Sequence, residues 1–521
     1  MLDSDFFITD QLIFFYSAIL LIIIALFTFH YKSPKLSVII LILGSFLLGL
    51  FFASLDPFLN YWDEQIHALV AKNMIENPLK PTLYLNPILE YNYETWDRNH
   101  IWLHKQPLFL WQIALSIKIF GTNVFAVRLP SIIMHSIIVF FIYRIGSITV
   151  SKKTGFYAGF LFCFSYYLLD LIVGGKICDH NDIAFIFYVS ASFWAWFEYT
   201  KNNSLKYVIF IGIFAGCAVL NKWLSGLIVF GGWGIVLLTN KENILKLKNY
   251  FHIIVSLTIA IIVFLPWQLY ILRKFPIESR YEYAYNSRHF FETLEGHKGS
   301  WNYHFKALEF LYFENNITPY IIIILLLFLF FKLDKKSHKI MIFLSIIISY
   351  TIFTIAKTKL ESFGLIVSVF IFIAFANVIS EFELFFNKKT NKNISFYLTL
   401  LLLISFCYFT LNTNKIEVEH SLKYPEKSWY RKFRFTEMQF IKALPEIVEN
   451  KDVILFNVQE LSFPSIMFFT NFENVYDFIP SEEELKKLRK QNISFVIFKK
   501  YDKNIPEYVY KMKAKIIEHN Y

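Results

Sequence analysis

The sequence predicts an all-α polytopic membrane protein of about twelve transmembrane helices with interfacial helices, closed by a small C-terminal extracytoplasmic α/β domain. Three observations predict it. Of 521 residues, 56% are hydrophobic and only 18% are charged, whereas a soluble domain carries about a quarter charged residues. Apolar runs long enough to cross roughly 30 Å of hydrocarbon as helices recur along most of the chain. Lys and Arg gather in alternate short loops, as in loops that resist translocation. The composition excludes a disordered tail, a collagen-like repeat and an ordinary soluble enzyme.

The predicted spans cover residues 11–30, 36–55, 124–145, 154–173, 183–200, 206–220, 223–239, 252–271, 318–333, 339–356, 360–380 and 394–411. The first has Asp3, Asp5 and Asp10 where a signal peptide has a basic region, so it reads as a retained helix. With the N-terminus outside, the inner loops are 31–36, 143–154, 198–206, 240–250, 332–339 and 381–393. Together they hold seventeen basic residues against five acidic ones. An even helix count returns the C-terminus to the outside. Because this loop excess exceeds the chain's entire net charge of +10, the basic surplus is a topology signal. A nucleic-acid binder would gather it on one solvated face, so no nucleic-acid partner is expected. The Lys, Asn, Phe and Ile bias suggests a low-GC bacterial genome, hence a bacterial inner (plasma) membrane location.

Residues 1–411 thus form a transmembrane domain whose long outer segments, 56–123 and 272–317, build the expected active-site face. Within the first, Leu108–Phe120 is too short to span and carries Lys118, which suits an interfacial helix. Residues 412–521 differ in texture. Short strand-like runs, Val453–Val458 and Ile493–Phe498, flank a helical stretch, Ser481–Gln491, whose Ser481 and Glu484 fit a capping box. A small α/β domain follows from that alternation. Cys163, Cys178, Cys217 and Cys407 are scattered, with neither a disulfide framework nor metal-ligand spacing.

The outer turns are nearly free of charge, so the exceptions stand out: Lys176, Asp179 and Asp182; Lys222; Lys357, Lys359 and Glu361. With Asp63, Glu64, His104, Lys105 and Arg128 they are candidates to converge at one mouth, since ionisable groups at a membrane boundary are functional candidates by default. Each has a plainer reading. Asp63 can cap the amphipathic helix that runs through Met74, and the lysines can anchor at the headgroup level by snorkelling. Asp179 and Asp182, three apart, share a helix face; one is the candidate site acid and the other a cap, with the choice open. His289, Glu292, Glu295, His297 and His304 invite a metal reading, but their spacing is not that of a compact ligand motif, and no metal ligand is assigned. Trp301 and Tyr281–Tyr285 suit the interfacial aromatic belt better than a sugar platform.

The order of these motifs carries a resemblance. Asp63-Glu64 follows an early span; His104-Lys105-Gln106-Pro107 precedes an aromatic-rich interfacial helix ending in Phe120-Gly121; Arg128-Leu129-Pro130-Ser131 opens the next span. Asp182 opens a span, Leu220-Asn221-Lys222 resembles a Leu-Thr-Lys-Gly turn, and Lys357-Thr358-Lys359 resembles a late Lys-x-Lys turn. Over roughly residues 40–380 this resembles the C-type membrane glycosyltransferases, and within them the protein O-mannosyltransferase and lipid A aminoarabinose transferase superfamily. The sequence departs from that pattern at Gln106, which replaces the first of two prolines, in an additional N-terminal span, and at Glu361-Ser362, which replace a proline.

The resemblance implies transfer of a hexose or pentose from a polyprenyl-phosphate donor to a hydroxyl or phosphate of an extracytoplasmic lipid, glycan or protein, with inversion. The residues suit that chemistry, which needs a base for the acceptor proton and cations for the departing phosphate. Asp63 is the candidate base and Glu64 its neighbour that orients the acceptor or tunes it. Lys105, Lys357 and Lys359, with His104, Arg128 and Lys222, are candidate substrate contacts. No cofactor is required by these residues, and a divalent metal is left open. A flippase is the alternative reading; it calls for buried charge near mid-membrane and a repeat between halves, and neither is evident. A scaffold that recruits a partner through its C-terminal domain is a third.

Overall fold

The computed structural model describes residues 7–95, 98–176, 179–239, 244–420, 428–449, 453–500 and 504–518; Cys178 lies outside them. The chain opens with α1 (Thr9–Tyr31), α2 (Pro34–Leu55), α3 (Asp63–Asn73), α4 (Leu108–Phe120) and α5 (Val124–Thr149). It continues through α6 (Lys152–Cys163), α7 (Tyr166–Leu171), α8 (Asp179–Asn202), α9 (Leu205–Lys222), a 3-10 turn (Trp223–Leu227), α10 (Ile228–Thr239) and α11 (Leu247–Lys274). There follow α12 (Pro276–Phe291), α13 (Tyr303–Tyr312), α14 (Thr318–Lys332), α15 (Lys336–Ile355), a second 3-10 turn (Glu361–Val367), α16 (Ser368–Lys389), α17 (Lys392–Leu411), α18 (Thr413–His420) and α19 (Trp429–Val448). The C-terminal part is β1 (Ile454–Phe456), α20 (Phe463–Phe469), α21 (Glu482–Lys490), β2 (Phe495–Lys499), α22 (Glu507–Lys511) and β3 (Lys515–Glu518).

Among the described residues, eight helical stretches are long and apolar enough to cross a membrane, with α4 and α14 as shorter apolar helices. The count falls below twelve for local reasons. Predicted span 154–173 is broken between α6 and α7, at Phe164 and Ser165. The span at 183–200 lies in α8, where Tyr188, Trp194, Trp196, Glu198 and Tyr199 lower the mean hydropathy of the stretch. The stretches 206–220 and 223–239 count as one, Leu205–Thr239, although a 3-10 turn interrupts it. The span at 318–333 is α14, with only 15 residues.

By contacts the chain forms two compact units: residues 1–54 with 131–414, and residues 55–130 with 415–521. In the first, small residues let helices approach closely. A Cβ on Gly212 would lie 2.4 Å from the Ser256 carbonyl oxygen and one on Gly216 2.7 Å from that of Ala260, so α9 presents a G-x-x-x-G face to α11. Gly146 and Gly155 meet in the same way between α5 and α6, at 2.6 Å from a Cβ to a Cα. Ion pairs staple helix ends: Arg144 to Glu198, Lys153 to Glu383 and Lys332 to Glu381. Each pair joins residues from loops that the charge pattern assigns to one and the same side.

In the second unit, α3 packs on α4 and α20, and β1, β2 and β3 form a parallel sheet in that order. Parallel strands need crossovers, supplied here by α20 and α21 between β1 and β2 and by α22 between β2 and β3. Ser481 and Glu484 cap α21 reciprocally, as the sequence predicts. Tyr84, from the segment 56–123, stacks on Tyr476 at 5.0 Å and lies parallel to Phe463. Lys72, at the end of α3, gives its ammonium to the carbonyls of Met467, Phe468 and Thr470 at the end of α20.

Candidate active site

In the second unit, the chain leaves α2 and runs through an irregular stretch, Asp56 to Trp62, before α3 begins at Asp63. Irregular buried backbone has to find partners for its polar groups, and here arginines provide them. Arg128 donates Nη1 to the Asp56 carbonyl (2.8 Å) and Nη2 to the Phe58 carbonyl (2.9 Å). It also grips Glu64 at two points, Nε to Oε1 at 2.8 Å and Nη2 to Oε2 at 2.9 Å. Both side chains are 0% exposed. Glu64 Oε2 accepts the Asn60 amide as well, at 2.5 Å.

Trp62 links this stretch to α3 with φ 73° and ψ −109°, a conformation that costs a bulky residue on the order of 1–3 kcal/mol and persists only where the surroundings enforce it. Asp63 follows as the first helical residue, half-buried, with Trp62 rather than Asp63 in the cap position. His104 is buried near Trp102, at 5.9 Å between rings, and Lys105 is half-buried just ahead of α4. Leu108–Phe120 is a helix as predicted, with Leu115, Lys118 and Ile119 on its exposed side.

In the first unit, the other candidates form a second cluster. Asp179 and Asp182 are both buried in the first turn of α8. Asp182 pairs with Lys222, the last residue of α9, and the Lys222 ammonium sits 4.7 Å from the Phe363 ring. His180 shares a 2.7 Å hydrogen bond with Ser131, its Nε2 lying 3.9 Å from Asp179. Trp223, at the place of the glycine in the Leu-Thr-Lys-Gly pattern, keeps a positive φ of 59°. Asp170 pairs with Lys176 at 3.2 Å.

Lys357, Thr358 and Lys359 form a turn stitched to the segment 272–317. The three backbone amides donate to the carbonyls of Phe290, His289 and His297 in turn. Thr358 Oγ1 donates to the Glu292 carbonyl and shares a 3.1 Å bond with the His289 ring. Of the residues that suggested a metal, His289, Glu292 and His297 therefore anchor the lysine turn. Among the described residues no group of three His, Cys, Asp or Glu side chains could hold a metal ion. Lys357 is exposed, whereas Lys359 is 4% exposed and gives its ammonium to the Phe353 (2.9 Å) and Thr354 (2.6 Å) carbonyls at the end of α15. Burial, and then the nearby Lys357, push the Lys359 pKa down.

Sequence reasoning passed over the C-terminal contribution to the second unit. Asp56 pairs with Arg431 and accepts from His420 Nδ1 at 3.0 Å. Burial pushes the Asp56 carboxyl up, but His420, Arg431 and Arg128 outweigh it and hold it well below the usual carboxylate range. Arg434 donates to the Leu59 carbonyl and pairs with Glu437, whose carboxyl burial pushes up. The available signal was the run Tyr430-Arg431-Lys432-Phe433-Arg434, which puts two arginines on one helical face with the apolar Met438 and Ile441.

Comparisons with known proteins fit this architecture. Residues 104–270 match the family model described as dolichyl-phosphate-mannose-protein mannosyltransferase. An uncharacterized protein of Aquifex aeolicus (strain VF5) is 27% identical over 192 residues, which span 36% of this chain and 35% of that protein. The structure resembles ArnT from Cupriavidus metallidurans bound to undecaprenyl phosphate, with TM-score 0.58 and 12% identity over 92% of this chain and 89% of that one. It also resembles the archaeal oligosaccharyltransferase AglB from Archaeoglobus fulgidus in complex with an inhibitory peptide and a dolichol-phosphate, with TM-score 0.53 and 12% identity over 89% and 69% of the two chains. The fold is that of the C-type membrane glycosyltransferases, as the motif order implies.

Proposed function

We propose that the chain is an integral-membrane glycosyltransferase that moves a hexose or pentose from a polyprenyl-phosphate donor to a hydroxyl or phosphate of an extracytoplasmic acceptor. The observation that carries this reading is the division of labour between two adjacent acids. Both Glu64 oxygens are committed to Arg128, so Asp63, half-buried at the start of α3, is the acid of the pair that keeps solvent contact. Arg128 is accordingly assigned to holding the site rather than to the phosphate.

In the reaction, the acceptor oxygen attacks the anomeric carbon from the side opposite the lipid phosphate, which inverts that centre. Asp63 takes the acceptor's proton as the new C–O bond forms. The bond from the anomeric carbon to the phosphate oxygen breaks, and the polyprenyl phosphate leaves with the electron pair. Lys105, in the same unit as Asp63, is assigned to neutralising that phosphate; Lys357, exposed in the first unit, is a candidate lipid-phosphate contact by itself, with Lys359 and Lys222 closer to structural roles. Asp179 and Asp182 are assigned to holding Lys222 and the start of α8. A lipid-phosphate donor is supported by the family match and by the lipid phosphates bound in the two similar structures.

Transfer is favoured over transport by where the charge sits. In the first unit the pairs Asp182–Lys222, Arg144–Glu198 and Lys153–Glu383 lie toward helix ends, whereas alternating access calls for a midplane site. The loop charges support an orientation with both termini outside, and the Lys, Asn, Phe and Ile bias supports a bacterial inner membrane.

The test is Asp63→Asn in purified enzyme supplied with a panel of polyprenyl-phosphate hexose and pentose donors. Loss of a general base costs about 10²–10⁴ in rate, so turnover should fall at least a hundredfold with thermal stability preserved. Undiminished turnover by the variant refutes the assignment.

A further inference from the structure

Helix α19 places a polar edge on the stretch that leads to Asp63, and every contact lies within the second unit. Arg431 Nη2 donates to the Leu55 carbonyl at 2.8 Å, and Arg434 donates to the Leu59 carbonyl. The Tyr430 hydroxyl donates to Asn60 Oδ1 at 3.0 Å and accepts the Tyr61 amide at 2.8 Å. Together with the two Arg128 bonds, guanidinium groups hold the carbonyls of Leu55, Asp56, Phe58 and Leu59. The Tyr430 bonds then fix Asn60 and Tyr61, the two residues before the positive-φ Trp62.

A backbone conformation of that cost survives only where its neighbours over-determine it, and these neighbours come from a segment more than 360 residues away in the chain. We propose that Tyr430, supported by Arg431 and Arg434, is a positioning residue for Asp63. It holds the Asn60–Trp62 turn so that the carboxylate points where the acceptor proton will be. The C-terminal segment then has a part in catalysis without touching substrate. The inference rests on the reading of Asp63 as the base.

Tyr430→Phe is the informative variant, because it deletes one hydroxyl and keeps the ring. Displacements of this kind in a reacting geometry cost up to about a hundredfold in rate, so kcat is expected to fall about ten- to a hundredfold. KM for the best-used polyprenyl-phosphate sugar should stay within about twofold. Amide exchange at Tyr61 should speed up while α3 beyond Ile66 is unchanged.

Tyr508→Phe is the control, since its hydroxyl donates at 2.7 Å to Pro480 O, within the same unit but away from the turn; its kcat should equal wild type. Wild-type kcat in Tyr430→Phe, or an equal fall in Tyr508→Phe, overturns the proposal. Full activity in Asp63→Asn, measured in parallel, overturns the underlying reading instead, and an inactive Asp63→Asn beside a fully active Tyr430→Phe rejects the positioning role alone.

Discussion

Glu64 and Arg128 meet as a two-point ion pair with neither side chain exposed. The pair ties the start of α3 to the first turns of α5, across the whole first outer segment. Removing one partner of a buried pair leaves a desolvated charge, which costs about 3–5 kcal/mol, while replacing both with apolar groups of similar volume is often far milder. Arg128→Met and Glu64→Gln should each lower the yield and thermal stability of purified protein sharply. The double variant Glu64→Leu/Arg128→Met should recover only part of the stability, because the Asp56 and Phe58 carbonyls and the Asn60 amide still lose their partners, and none of the turnover. Recovery of turnover with stability would assign the pair to folding alone.

Asp56 makes the stability of the second unit sensitive to acid. Its folded-state pKa is depressed because His420, Arg431 and Arg128 outweigh the upward push of burial. A depressed carboxyl pKa contributes stability that is full above the unfolded value of about 4 and is lost as pH falls through the folded value. Wild-type melting temperature should therefore drop progressively below about pH 4. Asp56→Asn should melt lower at pH 7 and have a shallower acid limb. Parallel acid limbs in the two proteins would show that Asp56 does not carry the effect.

Much of this was legible in the sequence, for physical reasons that differ by element. The interfacial helix at Leu108–Phe120 and the cap at Ser481–Glu484 were readable because apolar runs and capping residues are local signals. The break between α6 and α7 was not, since Phe164 and Ser165 sit inside a continuous apolar run with no proline. Lys359 and Arg128 were legible as charges out of place, but what they do depends on partners far along the chain. Arg128 is committed to Glu64 and two carbonyls, and Lys359 ends α15. Tyr430 and Arg434 left no local trace of their contact with residues 59–61, because nothing in a hairpin-free stretch specifies a partner over 360 residues away.

Two lysines in one turn should separate binding from stability. Lys357 is exposed, and Lys359 is buried against the Phe353 and Thr354 carbonyls. A charged hydrogen bond contributes about 1.5–3 kcal/mol, so Lys359→Ala should lower thermal stability. Lys357→Ala should leave stability within about 0.5 kcal/mol, as at an ordinary surface position. If Lys357 meets the donor phosphate, its loss should weaken undecaprenyl phosphate binding about tenfold, the factor that 1.4 kcal/mol of a charge-assisted bond represents. Calorimetric titration with undecaprenyl phosphate in detergent measures the second effect, and unchanged affinity would show that Lys357 does not bind the phosphate.

The close approach of α9 and α11 gives opposite signs to two chemically identical substitutions. A methyl on Gly216 would lie 2.7 Å from both the Ala260 carbonyl oxygen and the Val263 Cβ. Neither is the far end of a flexible side chain, so the helices have to separate, at a cost of about 1–3 kcal/mol. A methyl on Gly234, inside α10, meets nothing within 4 Å, and Ala is favoured over Gly within a helix by roughly 0.5–1 kcal/mol. Gly216→Ala should thus lower the melting temperature in detergent, and Gly234→Ala should leave it equal or raise it. The effect of Gly216→Ala should reach the Asp182–Lys222 pair as well, because α9 ends at Lys222, whose ammonium pairs with Asp182. A shift of α9 away from α11 displaces that lysine against α8. Lys222→Met should therefore lower the melting temperature less in a Gly216→Ala background than in wild type, and by its full amount in a Gly234→Ala background; equal losses in both backgrounds would separate the helix seam from the ion pair.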